Sequence, residues 1–323
     1  MVDSLNMHSA LKEIYKQISI GYNLGEKIKV DDVDKIAIAG MGGSGLGGEI
    51  LKSYLHESKI PIFISKDYQL PNFLDNKTLL FIVSYSGNTE ETLEAYKGAL
   101  DKKLKCVVLT HGGQLEKLAS GKNPIIKIPE TIQPRMSYCY QFFSMLRVLE
   151  NSGLVEKQGL LVQKLEEKMK HLDAEKKAKS ISENIFNKIP LIYSSEKLRA
   201  AAYKWKININ ENAKTMAFYN IFPEHNHNEI NGMINPKGDF IFVFLKDPED
   251  NKIVRKRIDI VKKLATENKI KSIDIDATGE NLLEKLITTI YLGDWVSYFL
   301  ALEYKIDPTP VPLIENFKKM LRD

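Results

Sequence analysis

Short apolar runs alternate with longer segments of helical periodicity along the whole chain. The runs predict strands, and apolar residues that recur every three or four positions between them predict helices. The predicted strands are KIAIA (35–39), PIFIS (61–65), LLFIVS (79–84), KCVVLT (105–110), PIIKIP (124–129), PLIYSS (190–195), TMAFYN (215–220), DFIFVFLK (239–246) and KSIDIDA (271–277). Because strands alternate with helices, the order favours an α/β fold with mainly parallel sheets flanked by helices.

The second half of the chain repeats the order of the first half, which predicts two similar domains in tandem. A chain of 323 residues is long enough for two domains of about 150 residues each. We expect the first domain, with an N-terminal helix, at 1–153 and the second at 154–323. The boundary lies beside a Lys/Glu-rich stretch at about 156–179, where the pattern predicts one connecting helix.

Composition excludes several classes of partner. Hydrophobic residues make up 43% and charged residues 27%, as in ordinary globular proteins, and the net charge of +4 is too small to favour nucleic acid or an anionic membrane. No apolar stretch approaches the roughly 20 residues that a membrane-spanning helix needs. Cys106 and Cys139 belong to no C-x-x-C pair. We therefore expect a cytoplasmic protein that binds neither nucleic acid nor membrane.

Two loops of the first domain follow predicted strands and carry the chemistry of a phosphate site. One is GMGGSGLGG (40–48) and the other is SYSGNT (84–89). In open parallel sheets, ligands bind beyond the carboxyl ends of the strands. Glycines let backbone N–H groups approach an anion, hydroxyls donate without charge, and the helix that begins near Thr89 offers unpaired N–H groups. Together these groups predict a phosphate cradle.

Two other interpretations of these loops exist. Ser or Thr followed by Glu is also a helix capping box, although a cap needs one hydroxyl and this loop has three. The run GMGGSG loosely matches a dinucleotide fingerprint, and Asp67 could be its acidic partner, but a dinucleotide leaves the Ser/Thr loop unexplained. We favour a monophosphate, used as a handle for binding, because the chain shows neither a P-loop Lys nor obvious Mg²⁺ ligands.

The second domain has a polar segment, NINENAKTMAFYNIFPEHNHNEING (208–232), in place of a glycine-rich loop. Glu211 lies near the end of a predicted helix, where it can act as a base or be a solvated surface carboxylate. His227 can shuttle protons or merely cap a turn. His225 and His227 lack an evident third metal ligand, so we expect no metal.

Two further basic positions can each be part of a binding site or simply be exposed to solvent. Arg135, which follows Pro134 at the start of a helix, can stabilise an anion or be a lone surface Arg. Lys318 and its neighbour Lys319 lie on a final predicted helix, where solvated lysines are the default.

The GGSG loop, followed some 40 residues later by SYSGNTEET, resembles the sugar isomerase (SIS) domain, which binds phosphosugars. Two such domains with NENAK and PEHNHNEING resemble the archaeal-type bifunctional phosphoglucose/phosphomannose isomerases, over most of the chain. The resemblance implies an enzyme that interconverts glucose, mannose and fructose 6-phosphates through a cis-enediol, without a cofactor. It also implies a homodimer.

The resemblance assigns a role to individual residues. It implies phosphate binding by Ser84, Ser86 and Thr89, with Gly43 and Ser44 on the adjoining loop.

For the reaction itself, the family pattern implies that Glu211 moves the proton between C1 and C2 and that Arg135 stabilises charge on the intermediate. It implies that His227, donated across the dimer interface, assists ring opening. It also implies that Lys318 lies near the ring oxygen and Thr309 permits both epimers.

Two rival functions stay open at this point. One is a regulator that senses phosphosugars, although no DNA-binding helical domain is evident. The other is an isomerase of a different sugar phosphate.

Overall fold

The computed structural model describes residues 2–321, which divide into two units. The N-terminal unit is Lys12–His171, and the C-terminal unit is the remainder of the described chain. Each unit contains a parallel sheet with helices, so the expected α/β architecture of two tandem domains is confirmed. Within residues 2–321, no helix is both long and apolar enough to cross a membrane.

The N-terminal unit contains a five-stranded sheet in the order β2-β1-β3-β4-β5, with all neighbours parallel. Every residue of β3 is buried, as expected of a central strand covered on both faces. The strands are β1 (Lys35–Ala39), β2 (Ile62–Ser65), β3 (Thr78–Val83), β4 (Lys105–Thr110) and β5 (Ile125–Lys127). The helices are α1 (Met7–Lys12, mostly in the other unit), α2 (Lys16–Leu24), α3 (Leu46–Tyr54), α4 (Glu90–Asp101), α5 (Gly113–Ala119), α6 (Tyr138–Asn151) and α7 (Gly159–Lys170).

The C-terminal unit contains a four-stranded parallel sheet in the order β7-β6-β8-β9. This order repeats the order of the first four strands of the other sheet, so the two units share a topology. The strands are β6 (Ile189–Ser194), β7 (Phe218–Ile221), β8 (Phe240–Lys246) and β9 (Lys271–Asp276). The helices are α8 (Glu175–Ile185), α9 (Arg199–Asn212), α10 (Lys252–Glu267), α11 (Leu282–Glu303) and α12 (Pro312–Met320).

The division between the units differs from the expected boundary at 153/154. Helix α7 groups with the N-terminal unit, where Ser19 Oγ donates to Glu166 at 2.9 Å. The first eleven residues group with the C-terminal unit, because His8 packs edge-on against Trp295.

The Lys/Glu-rich stretch forms two helices, α7 and α8, and the prediction of one connecting helix was wrong. The chain breaks between them at 171–174, where Asp173 accepts a hydrogen bond from the Glu175 N–H at 3.0 Å. Such a bond from a short acidic side chain to the backbone competes with helix continuation.

Helices α9 and α11 pack at very short range in the C-terminal unit. The Trp205 ring of α9 lies over Gly293 of α11, and its Nε1 donates to Thr289 O at 2.8 Å. A Cβ built at Gly293 would lie 2.2 Å from the indole ring. The close approach therefore requires glycine at this position.

Replacing Gly293 tests this packing. We expect Gly293→Ala to lower the free energy of unfolding by about 1–3 kcal/mol, because the added methyl forces the two helices apart. Denaturant unfolding followed by tryptophan fluorescence measures the change.

Gly98→Ala is the matched control, because a Cβ built at this α4 position meets nothing within 4 Å. It should be neutral or stabilise by up to about 1 kcal/mol through helix propensity. Equal effects of the two substitutions would show that the α9–α11 contact is loose.

Candidate active site

The two loops predicted to bind phosphate start side by side in the N-terminal unit. Strands β1 and β3 are parallel neighbours, with Ala39 opposite Ile82. The chain leaves β1 through a short 3₁₀ helix, Gly42–Gly45, and leaves β3 at Ser84. The carboxyl ends of both strands therefore lie at one edge of the sheet, where ligands bind in open α/β folds.

Hydrogen bonds of hydroxyl groups stabilise the Ser/Thr loop and link it to the glycine loop. Ser84 is fully buried, and its Oγ donates to Thr89 Oγ1 at 3.0 Å. Ser44 is also buried, and its Oγ accepts a hydrogen bond from the Tyr85 N–H at 2.9 Å. Ser86 is exposed, and its Oγ accepts from the Asn88 N–H at 3.3 Å. The buried hydroxyls thus set the loop conformation, while Ser86 faces solvent.

The capping interpretation of this loop is not what the structure shows. Thr89 precedes α4, yet its side chain makes no capping hydrogen bond to the helix. The first turn of α4 also contains Glu90 and Glu91. Their charges are favourable for the helix dipole but unfavourable for a bound anion. The charged side chains at the start of α4 therefore do not attract an anion, and N–H and O–H groups of the loops are the donors available there.

Gly87 allows the loop after β3 to lie against the loop after β4. Its φ of +65° is in the left-handed region, and a Cβ at this position would lie 1.7 Å from Gly112 O. A side chain at position 87 would therefore meet both strain and a backbone clash.

Arg135 lies beside the glycine loop. It is 1% exposed and belongs to a 3₁₀ turn, Pro134–Met136, that precedes α6. A Cβ at Gly43 would lie 2.6 Å from the Arg135 backbone nitrogen, so the two segments touch. The N-terminal unit thus brings together the segments that carry Gly43, Ser44, Ser84, Thr89 and Arg135.

Gln141 is a supporting residue that the sequence pattern did not indicate. From the first turn of α6 it donates to Gly43 O at 3.2 Å and to Ser137 Oγ at 2.8 Å, and it accepts from the Gly47 N–H at 3.2 Å. It is 1% exposed. The available signal was a single amide side chain inside the apolar run YCYQFFSM.

The dinucleotide alternative depended on Asp67, at the end of β2. This residue accepts a hydrogen bond from the Tyr68 N–H at 2.6 Å in a local turn. The crevice that it lines with Gly40, Met41 and Glu91 is too narrow to hold even a water molecule, so it does not favour a dinucleotide.

In the C-terminal unit, Glu211 lies in the last turn of α9 and is half-buried. The helix ends at Asn212, and Lys214, two residues further on, has a φ of +54°. Lys214 Nζ donates to Asp307 O at 2.7 Å, and the Thr309 N–H donates to Asp307 Oδ1 at 3.0 Å. The NENAK motif and the segment with Thr309, which is fully buried, therefore meet in this unit.

The loop that carries His227 is anchored by its neighbours. His225 is fully buried, with its ring centroid 4.4 Å from that of Tyr193. Glu229 accepts hydrogen bonds from Tyr193 Oη at 2.7 Å and Asn220 Nδ2 at 2.6 Å. His227 itself is exposed. The arrangement fixes the backbone of this loop and presents the His227 imidazole at the surface.

No group of three or more His, Cys, Asp or Glu side chains within residues 2–321 is arranged to hold a metal ion. Lys318 lies on α12, where every residue is exposed, and Lys319 is exposed as well. The choice between these two lysines therefore stays a prediction.

The sheet edge of the C-terminal unit carries different chemistry at the equivalent position. Ser194 and Leu245 are paired at the ends of β6 and β8, as Ala39 and Ile82 are paired at the ends of β1 and β3. Asp247 follows Leu245 by two residues, as Ser84 follows Ile82, so Asp247 is the counterpart of Ser84. Asp247 and Lys285, each 2% exposed, form an ion pair of 2.7 Å.

The C-terminal unit therefore has a buried ion pair where the N-terminal unit has neutral hydroxyl groups. Burial alone would lower the pKa of Lys285, but hydrogen bonds to Asp247 and Glu249 raise it above its ordinary value. The position is therefore occupied by the protein's own charges, which disfavours a second phosphate site at this edge.

Both halves of the chain match known domain families. Residues 29–149 match the SIS domain, and residues 174–321 match the bacterial phospho-glucose isomerase C-terminal SIS domain. The fold and loops thus define a protein of two SIS domains, as the resemblance implied.

Comparison with individual proteins identifies the family within the class of proteins with two SIS domains. The chain is 38% identical to the bifunctional phosphoglucose/phosphomannose isomerase of Caldicellulosiruptor bescii, over 98% of each chain. It is 34% identical to the enzyme of that name from Aquifex aeolicus, over 97% of this chain and 99% of that one. The chain belongs to the family of bifunctional phosphoglucose/phosphomannose isomerases.

A solved structure from Clostridium difficile 630, proposed to be a phosphosugar isomerase, has the same fold. It superposes with a TM-score of 0.75 at 19% identity and covers 95% of each chain.

Burial of His225 predicts that the C-terminal unit loses stability in acid. Burial lowers the pKa of His225, and the Glu229 carboxylate offsets only part of this effect. Because the pKa is higher in the unfolded chain, about 6.5, the unfolded state gains protons first as pH falls below that value. Between pH 7.5 and pH 5.5 the parent should therefore lose free energy of unfolding that His225→Phe does not lose. We expect the two losses to differ by on the order of 1 kcal/mol, measured by denaturant unfolding at both pH values.

The control is His171→Asn, which removes an exposed imidazole. This variant shows whether the loss of any one histidine produces the same change. If His225→Phe loses as much stability as the parent between the two pH values, His225 is not the acid-sensitive group.

Proposed function

We propose that the protein is an aldose–ketose isomerase that interconverts glucose 6-phosphate with fructose 6-phosphate, and mannose 6-phosphate with fructose 6-phosphate. The observation that carries the proposal is family membership over both domains, with relatives that span nearly the whole chain. The two sugars share one enediol, so a site that tolerates both C2 epimers can serve both reactions.

The phosphate is the handle by which the sugar is held. We assign it to Ser84, Ser86 and Thr89 with Gly43 and Ser44. Support comes from the shared sheet edge, the buried hydroxyl bonds and the uncapped start of α4. Neutral N–H and O–H donors can bind the phosphate through hydrogen bonds alone. Because the phosphate is remote from C1 and C2, its binding energy can orient these reacting carbons.

The proton transfer needs a single carboxylate. We assign Glu211 as the base that removes the C2 proton of the aldose and returns it to C1, by way of a cis-enediol. Arg135 stabilises the negative charge that develops on the intermediate. No metal or nicotinamide takes part in this scheme.

The remaining assignments concern ring opening and specificity. We propose that His227 acts across the interface of a homodimer, which fits its exposed position on an anchored loop. Lys318 is assigned to the ring oxygen and Thr309 to the tolerance of both epimers. A cytoplasmic location suits a protein whose two cysteines are buried thiols.

A coupled assay tests the activity. Fructose 6-phosphate is the substrate, and glucose 6-phosphate and mannose 6-phosphate are read out separately. Both should form, at rates that EDTA does not change.

Arms with a pentose phosphate and with glucosamine 6-phosphate should be much slower. Turnover of one of those substrates alone would instead support an isomerase of another sugar phosphate. Binding of hexose phosphates without turnover would support a regulator.

Removing the proposed base separates binding from chemistry. We expect Glu211→Gln to lower kcat by about 10²–10⁴-fold and to abolish exchange of solvent deuterium into fructose 6-phosphate. Substrate should still bind, because the phosphate contacts are intact; calorimetry and NMR measure the two quantities.

Glu183→Gln, an exposed position on α8, is the control for the same chemical change. Ser84→Ala with Ser86→Ala gives the opposite pattern, with KM raised and exchange retained at saturation. Normal deuterium exchange in Glu211→Gln would remove this residue from its assigned role.

A further inference from the structure

A row of buried polar side chains runs along the contact between α9 and α11. Lys204, Asn208 and Asn212 are spaced four residues apart on α9, so they lie on one face of the helix. Asp294 and Ser297 of α11 face them. All five residues are at most 1% exposed. We call this set the α9–α11 ladder.

Hydrogen bonds connect the ladder from one end to the other. Lys204 Nζ donates to Asp294 Oδ1 and to Asn208 Oδ1, each at 2.7 Å, and Asn208 Nδ2 also donates to Asp294. Ser297 Oγ donates to Asp294 O at 2.8 Å and accepts from Asn212 Nδ2 at 2.9 Å. The last member, Asn212, is the residue next to Glu211.

Stability alone does not explain such a row. A buried ion pair has a desolvation cost that its Coulomb attraction often fails to exceed, and apolar residues of similar volume are often as stabilising or better. Trp205 and Gly293 already hold the two helices close together. Directional hydrogen bonds add something that apolar packing lacks, because they permit one axial register of α9 against α11.

The last turn of α9 is where that register matters. The final carbonyl groups of a helix lack partners within the helix, so its end frays readily. A base that works on two adjacent carbons tolerates little displacement, since an error of about 1 Å can cost 10²-fold in rate.

We propose that the α9–α11 ladder positions the Glu211 carboxylate, with Asn212 and Ser297 holding the last turn of α9. This inference rests on the proposed role of Glu211 as the base. Asn212 and Ser297 act through Glu211 and are positioning residues.

Ser297→Ala tests the proposal with the loss of one oxygen atom. The hydrogen bond from the Asn212 amide to Ser297 is then lost, and we expect the last turn to loosen. We expect kcat for fructose 6-phosphate to fall by about 10- to 100-fold, with KM changed less than about twofold. Ser297→Thr keeps the hydroxyl and should restore most of kcat.

Ser182→Ala is the matched control. Ser182 is equally buried, donates to Lys179 O at 2.8 Å and also contacts α11 through Glu303. The substitution therefore removes a comparable hydroxyl that contacts α11 at Glu303, away from the Asn212–Ser297 hydrogen bond. It should leave kcat near the parent value, whereas a general effect of weakened α11 packing would lower kcat in both variants.

Amide hydrogen exchange gives a readout that does not require activity. In Ser297→Ala, amides 210–215 should exchange at least about tenfold faster than in the parent, and those of α10 should not change. If the parent has no isomerase activity, the proposed function fails, and the exchange data still decide whether the ladder holds this turn. Unchanged exchange at 210–215, or unchanged kcat with faster exchange, would overturn the inference.

Discussion

Parallel strand pairing is the constraint on which the rest of this structure depends. Two adjacent parallel strands necessarily deliver their following loops to the same edge of a sheet. In the N-terminal unit, the pairing of β1 with β3 brings the glycine loop beside the Ser/Thr loop, although 40 or more residues separate them in sequence. Without this register, the small and hydroxyl residues of the two loops would be unrelated turns.

The same register supports opposite electrostatics in the two units. Ser84 and Asp247 occupy equivalent places after the central strands. One is a neutral donor in a network of hydroxyls, and the other is a buried carboxylate that is already paired with Lys285. Two copies of one fold can therefore differ in function through single side chains. In the C-terminal unit the positive charge of Lys285 is already neutralised by a carboxylate of the protein, so it does not attract an external anion.

Buried polar residues organise both units. Gln141 links α6 to Gly43 of the loop after β1 and to Gly47 at the start of α3, and the α9–α11 ladder links the carboxylate-bearing helix to its neighbour. A buried amide or hydroxyl costs free energy unless its partners are in place, so each one selects a single arrangement of the backbone around it. The apolar cores supply the stability of each unit, and these few polar contacts supply the geometry.

The sequence by itself determined the strands, most helices, the parallel α/β class and the residues that carry the loop chemistry, because these depend on periodicity and on local turn composition. Tertiary structure alone decided whether the hydroxyl of Thr89 caps a helix or bonds to Ser84. It also decided which residues pair with Asp247 and which support Asn212. Those partners lie 38 and 85 residues away, and no local pattern encodes a contact made by two elements that meet only after folding.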